Sequence, residues 1–144
     1  MSKRATLEVL SMGKLDGIAT LLDEIGIVYS KEENGILMVW DTEQFDELRV
    51  LILTDPDEKW LFITALFTNF DNIPEDRQHK LMYDLLVASW KVNGVKFVIT
   101  SDNNIAVTAE TNDMDLTGDE LRTLIDNTVG ACDILATFTP GYTD

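Results

Sequence analysis

The order of helix and turn signals in the second half of the chain constrains its fold more than any other feature. Pro74-Glu75-Asp76-Arg77 opens a segment with apolar residues at helical spacing, and Asn93-Gly94 ends it. Two short runs follow, residues 96–100 and 105–110, which are typical of a hairpin. The motif Thr117-Gly118-Asp119-Glu120 has capping-box spacing and predicts that a further helix begins there. This half is therefore predicted to be helix, hairpin, helix.

Apolar residues at helical spacing also run from Leu7 to Ile25 and predict a first helix. Two glycines in its first half each weaken a helix by about 1 kcal/mol relative to Ala. The helix is therefore expected to begin nearer Lys14. Gly26 is a natural C-terminal stop, because glycine adopts the left-handed conformation that commonly ends a helix.

Four strand-like runs follow the first helix and are expected to form two hairpins. They cover residues 27–30, 36–40, 49–54 and 59–67. The loop between the first two runs ends in Asn34-Gly35, a hairpin signal. Asp55-Pro56-Asp57-Glu58, between the last two, has strong turn chemistry. The predicted fold class is α+β, one antiparallel sheet with helices in the order α-ββ-ββ-α-ββ-α, in a single domain spanning residues 1–144.

The central strands are apolar on both sides, which raises the question of what covers them. In the run 59–67, one side carries Trp60, Phe62 and Leu66, and the other side is equally apolar. Antiparallel strands of this kind need a cover on both faces. The three helices are one source of that cover. Otherwise the second face is a dimer interface or a groove for a partner segment.

The charge balance excludes several classes of function. The 144 residues include 11 Lys or Arg and 26 Asp or Glu, a net charge of −15. Nucleic-acid binding depends on basic side chains that neutralise phosphates, and no basic cluster exceeds Lys3-Arg4. We therefore expect no nucleic-acid partner and no docking on anionic lipid.

The location predicted from the sequence is the cytoplasm. The chain has no apolar run of about 18 residues, the length a membrane span requires. Polar residues interrupt the N-terminal segment, so no signal peptide is expected there. The single Cys132 cannot form an intramolecular disulfide, which fits a reducing compartment.

No motif predicts catalysis, a metal or a cofactor. The run from Asp113 to Asp119 resembles the start of a calcium loop, but Leu124 stands where such a loop needs a bidentate glutamate. His79 lies among polar residues and is expected to be solvated. Cys132 falls on an apolar helical stripe and is expected to be a buried, unreactive thiol. The protein is therefore predicted not to be an enzyme.

The tryptophans are the most conspicuous apolar side chains. Core packing is the simplest role for Trp40, Trp60 and Trp90. Tryptophan is also enriched where binding energy concentrates at interfaces. Trp40, Trp60 and Phe62, on the strands that are apolar on both sides, are therefore the candidate partner-binding residues.

The layout resembles the type III secretion chaperone-like fold, in particular the YbjN family. Three motifs carry the resemblance. They are Leu85-Leu86 followed by Asn93-Gly94-Val95-Lys96-Phe97-Val98-Ile99, then Ile105-Ala106-Val107-Thr108-Ala109-Glu110, and then Leu116-Thr117-Gly118-Asp119-Glu120-Leu121. The resemblance implies a small acidic protein, usually homodimeric, that binds extended client segments. It implies no catalytic residues.

The expected function is a non-enzymatic protein-binding module, chaperone-like or regulatory, that recognises a protein segment or itself as a homodimer. An alternative is a small-molecule-binding or enzymatic domain with a pocket between sheet and helices. A third is a structural subunit whose apolar face is permanently occupied by a second copy.

Overall fold

The computed structural model describes residues 3–113 and 115–139, with side chains from Lys14 onward. This part of the chain forms three helices, six strands and one short 3-10 helix. The helices are α1 (Lys3–Glu24), α2 (Glu75–Lys91) and α3 (Gly118–Phe138). The strands are β1 (Ser30–Glu32), β2 (Gly35–Trp40), β3 (Leu48–Thr54), β4 (Leu61–Asn69), β5 (Lys96–Ile99) and β6 (Asn104–Thr111), and the 3-10 helix is Phe70–Asn72.

The strands form one sheet in the order β1-β2-β3-β4-β6-β5, and every neighbouring pair is antiparallel. β1 to β4 follow one another as a meander. The chain then leaves the sheet through α2 and returns to form the β5–β6 hairpin, with β6 beside β4. The predicted fold class and element order are confirmed.

One face of the sheet forms the core with the helices. Alternate side chains along β2, β3, β4 and β6 are buried on this face, as expected for a half-buried sheet, and many are at most 1% exposed. They include Ile36, Met38, Val50, Ile52, Ile63 and Val107. The helices add apolar stripes to the same cluster, for example Leu22 from α1, Leu85 from α2 and Ile125 from α3. Because all three helices pack on this face, we call it the covered face.

The ends of α1 and α3 follow from local sequence. After α1, Gly26 adopts φ +75°, and the Ile27 N–H donates to the Leu22 carbonyl at 3.0 Å, as in a Schellman motif. The predicted capping box of α3 is confirmed: the Glu120 N–H donates to Thr117 Oγ1 at 3.1 Å, and Glu120 Oε1 accepts from the Thr117 N–H at 3.3 Å.

Two predicted boundaries are wrong. α1 begins at Lys3, well before the expected start near Lys14. The first strand is Ser30–Glu32, whereas residues 27–30 were expected, because buried Ile27 belongs to the helix cap and Val28 points into solvent. Glu32 pairs with Gly35, so Glu33 and Asn34 form the turn of this hairpin.

Candidate functional site

The face of the sheet opposite the helices carries an apolar surface, in which Arg49 and Thr64 are polar members. Cross-strand pairs place Leu37 beside Leu51 and Leu53 beside Phe62, and Leu66 pairs with Ala106 further along β4. We define the open sheet face by its six large apolar side chains, Leu37, Val39, Leu51, Leu53, Phe62 and Leu66. Val39 is 53% and Leu66 is 51% exposed, and the other four are partly buried by their neighbours. No described element lies over this surface.

Side chains on this face pack tightly against one another. A Cβ on Gly35 would lie 2.7 Å from Leu53 Cδ2 and 2.7 Å from the Ile52 carbonyl oxygen. The absence of a side chain at Gly35 therefore lets Leu53 lie across the neighbouring strand. Thr64 and Thr108 share a hydrogen bond of 2.8 Å across β4 and β6. The open face is thus an ordered layer.

The polar rim on the β5 side of the open face is internally paired. Lys96 and Glu110, on the two strands of the last hairpin, form an ion pair. Glu110 lies directly across from Phe62, so this carboxylate at the edge of the apolar surface is already neutralised.

The structure does not bring the three predicted contact residues together. Trp40 pairs with Leu48, whereas Trp60 lies just before β4, next to the Thr54–Leu61 pair. The six-residue offset along β3 separates the two by about 20 Å. Trp40 also belongs to the covered face: it packs against the core cluster, and its indole N–H is buried without a hydrogen-bond acceptor among the described residues. Only Phe62 is part of the open sheet face.

Trp60 is held beside the open face by a tight turn. Asp55 Oδ1 accepts hydrogen bonds from the Lys59 N–H at 2.7 Å and from the Trp60 N–H at 3.0 Å. These backbone donors, that of Trp60 above all, lower the pKa of Asp55. Glu58 takes a left-handed conformation, φ 55°, and closes the turn. Trp60 is 39% exposed, two residues before Phe62, and is available for contact.

A second exposed apolar surface lies on α2, and sequence reasoning missed it. Met82, Tyr83, Leu86 and Trp90 are 40%, 65%, 72% and 88% exposed and form the α2 outer stripe. It lies opposite the core residues Leu81, Leu85 and Ala88. The signal in the sequence was the spacing of Tyr83, Leu86 and Trp90 by three and four residues, which places them on one helix side.

The α2 outer stripe continues onto the edge of the sheet. A shallow apolar groove of about 220 Å³ is lined by Met82, Leu85 and Leu86 of α2 and by Phe97, Val98 and Ile99 of β5. β5 is an edge strand of the sheet. The Phe97 N–H, on the outer edge of β5, donates to Ser89 Oγ at 3.1 Å, so α2 caps part of this edge.

The single histidine and the single cysteine lie in different environments. His79 is exposed on α2. Cys132 is fully buried, and burial, together with the nearby Asp133, raises the pKa of its thiol to about 12. Such a thiol stays protonated and unreactive at neutral pH. Across residues 3–113 and 115–139, no three His, Cys, Asp or Glu side chains are grouped as a metal site requires.

The residues that resemble the start of a calcium loop lead into the N-terminus of α3. The Asp115 N–H donates to Asp113 Oδ1 at 3.0 Å, and Met114 between them lies outside the described residues. None of the three described helices combines the length and apolar character that a membrane span requires.

A six-stranded antiparallel sheet with three helices in this order is the type III secretion chaperone-like α+β fold, and solved structures confirm that prediction. YbjN, a candidate transcription regulator from E. coli, is 13% identical, with a TM-score of 0.62 over 84% of this chain and 87% of that one. The HopA1–SchA chaperone–effector complex contains a chain that is 12% identical, with a TM-score of 0.62 over 92% and 97%. The ExsC–ExsE complex contains a chain that is 15% identical, with a TM-score of 0.59 over 90% of this chain and 96% of that one.

These similarities show the fold. No family model matches the sequence, and no curated protein matches it either.

Proposed function

We propose that the protein is a non-enzymatic protein-binding module, chaperone-like or regulatory, which works in the cytoplasm as a single domain and binds a protein segment on its open sheet face. The observation that carries this proposal is the layer of six large apolar side chains that no described element covers. Apolar surface of this extent on a protein with a net charge of −15 is typical of an interaction site. Phe62 and Trp60 are the proposed aromatic contacts, and the position of Trp40 favours a packing role.

The structural neighbours support a protein partner. SchA is described as part of a chaperone–effector complex, and ExsC as part of a complex with ExsE. A chain with the same arrangement of sheet and helices has the same types of surface to offer. By contrast, the space between the sheet and helices is filled by side chains such as Ile52, Ile63 and Leu121, each at most 1% exposed.

The proposal is tested by panning a random peptide library against the wild-type protein and then measuring the affinity of each enriched peptide for two variants. Leu66→Ser removes an exposed apolar side chain from the open face, and Val28→Ser removes one that is 87% exposed elsewhere. We expect Leu66→Ser to weaken binding and Val28→Ser to leave it unchanged. Peptides that bind both variants like the wild type would contradict the proposal, as would a library that enriches nothing.

We further propose that the α2 outer stripe joins two copies of the chain in a homodimer. Leu86 and Trp90 are 72% and 88% exposed, which is unusual for large apolar side chains that lie next to each other on one helix. Tryptophan and tyrosine concentrate binding energy at the centre of interfaces. Two antiparallel copies of α2 would bury these side chains against each other, because a two-fold axis sets the same patch against itself.

Native mass spectrometry tests the dimer directly. The wild-type protein is expected at twice the chain mass with no adduct, and Trp90→Glu at the mass of one chain. Val28→Glu is the matched control, since Val28 is 87% exposed and the substitution adds the same charge. A monomeric wild type, or a Trp90→Glu variant that stays dimeric, would exclude this interface. A monomer with a small adduct would instead point to a ligand pocket.

A further inference from the structure

The loop between β2 and β3 lies at one end of the open sheet face and is strongly acidic. It carries Asp41, Glu43, Asp46 and Glu47, all exposed. No Lys or Arg within the described residues forms an ion pair with any of the four. This end of the open face thus differs from the Glu110 rim, where a lysine already neutralises the carboxylate.

The acidic loop is fixed in place. Thr42 Oγ1 donates to Asp133 Oδ1 of α3 at 2.8 Å and accepts from the Phe45 N–H at 3.0 Å. Phe45 is 9% exposed and packs edge-to-face on Phe67, with 5.4 Å between the ring centroids. A loop anchored at both positions presents its carboxylates at low entropic cost to a partner, because less ordering is needed on binding.

The loop and the open face share one depression. A cavity of about 680 Å³ is lined by residues 44–49 together with Leu66 and Phe67. Leu66 belongs to the open sheet face, so the apolar surface runs directly into this cavity. Asp46 and Glu47 contribute two carboxylates to the lining, and Arg49 contributes one cation. The cavity lining therefore combines apolar side chains with one net negative charge, two carboxylates against one cation.

We propose that the partner segment is extended, apolar, and carries Lys or Arg at one end, with the basic end seated in the acidic cavity beside Leu66. This inference rests on the proposed function and adds the chemistry and polarity of the segment. The apolar part covers Leu51, Leu53 and Phe62. The basic end meets the carboxylates of the loop, while the net charge of −15 disfavours an acidic segment.

Fluorescence anisotropy with designed peptides tests this inference. The probe is a labelled peptide of about ten residues in which leucine alternates with serine, so that its side chains fall on two faces when extended. One form carries two lysines at its N-terminus and another carries them at its C-terminus. Matched peptides carry glutamine or glutamate instead. Affinities are compared at low and high salt for the wild type and for three variants.

We expect the better lysine peptide to bind about tenfold more tightly than the glutamine peptide, the effect of two modest ion pairs. High salt should remove most of that advantage, since exposed charges are screened. The Asp46→Asn/Glu47→Gln variant should bind the lysine peptide no more tightly than the glutamine peptide. Its affinity for the glutamine peptide should equal that of the wild type. The control Glu32→Gln/Glu33→Gln makes the same change in net charge at the distant β1–β2 turn and should keep the advantage. The third variant, Leu66→Ser, should bind every peptide more weakly than the wild type does.

The outcomes separate the two proposals. Equal binding of lysine and glutamine peptides, with weakening by Leu66→Ser, would overturn the basic end and leave the open face as the binding surface. If the Glu32→Gln/Glu33→Gln control also loses the preference for the lysine peptide, that preference comes from the net charge of the protein. The β2–β3 loop would then be excluded as the binding site of the basic end. Binding that Leu66→Ser does not change, or no binding by any peptide, would overturn the proposed function itself.

Discussion

Ile63 and Leu66 lie three residues apart on β4, and their surroundings differ completely. Ile63 is 1% exposed beneath the helices, whereas Leu66 is 51% exposed on the opposite face. Both faces of the central strands are apolar, so composition does not distinguish them. The helices all pack on one side, and no described helix packs on the other. The same strand therefore contributes to stability through one face and, in our proposal, to binding through the other.

The largest expected effect is the difference in stability between substitutions on the two faces of β4. Ile63→Ala removes buried methyl groups and leaves a cavity, and we expect it to destabilise the protein by about 3 kcal/mol. Leu66→Ala removes a side chain that is half in water and should cost less than about 1 kcal/mol. Urea unfolding monitored by circular dichroism measures both. Similar losses for the two variants would mean that a further contact covers the open face.

The next contrast is between two tryptophans. Trp40→Ala removes a large ring from the covered face and should cost about 2–3 kcal/mol, even though it also removes an unpaired indole N–H. Trp60→Ala should weaken partner binding while lowering stability by less than about 1 kcal/mol. Thermal unfolding and peptide affinity are measured on the same samples. If Trp60→Ala unfolds the protein, Trp60 is a core residue and not a contact.

Two glycines sharpen the comparison at the level of close packing. A Cβ at Gly35 would meet a backbone oxygen and Leu53, both at 2.7 Å, so Gly35→Ala should cost about 1–3 kcal/mol. Gly130 is exposed in α3 with nothing within 4 Å of an added Cβ, and Gly130→Ala should stabilise the helix by up to about 1 kcal/mol. Urea unfolding of both variants measures the difference. A neutral Gly35→Ala would show that the open face repacks freely.

Thiol labelling compares the solvent accessibility of the two faces with the smallest change to the protein. Cys132, with its pKa raised to about 12 by burial, should react with a disulfide reagent at pH 8 only when the protein unfolds. Leu66→Cys in a Cys132→Ser background should react at least about a hundredfold faster, because its side chain is exposed in the native state. Comparable rates would show that the helices open locally, or that the open face is occupied.

The sequence predicted the fold because local signals agreed with the global arrangement. The Thr117–Glu120 capping box and the turn at Asp55 formed as expected. The first hairpin did not follow its strongest signal: Gly35 lies in β2, where its lack of a side chain admits Leu53. That role depends on a neighbour eighteen positions away in sequence, which the local turn pattern does not contain.

The candidate site was predictable only in part. Strands apolar on both sides did indicate a surface beyond the core, and Phe62 lies on it. Side-chain alternation places Trp40 with Met38 on the covered face, but the sequence could not show which face the helices would take. The exposure of Trp90 likewise depends on how α2 is rotated against α3 and β5, a tertiary property that helical spacing alone leaves open.

The most direct test of the open sheet face is a methyl NMR spectrum of the Ile, Leu and Val residues recorded while the lysine-tagged leucine–serine peptide is added. We predict shifts at Leu37, Leu51, Leu53 and Leu66, with the methyl groups of the covered-face residues Ile36, Ile52 and Ile63 nearly unchanged. Shifts confined to Leu86 on the α2 outer stripe, or no shifts at saturating peptide, would contradict the assignment of this face as the binding surface.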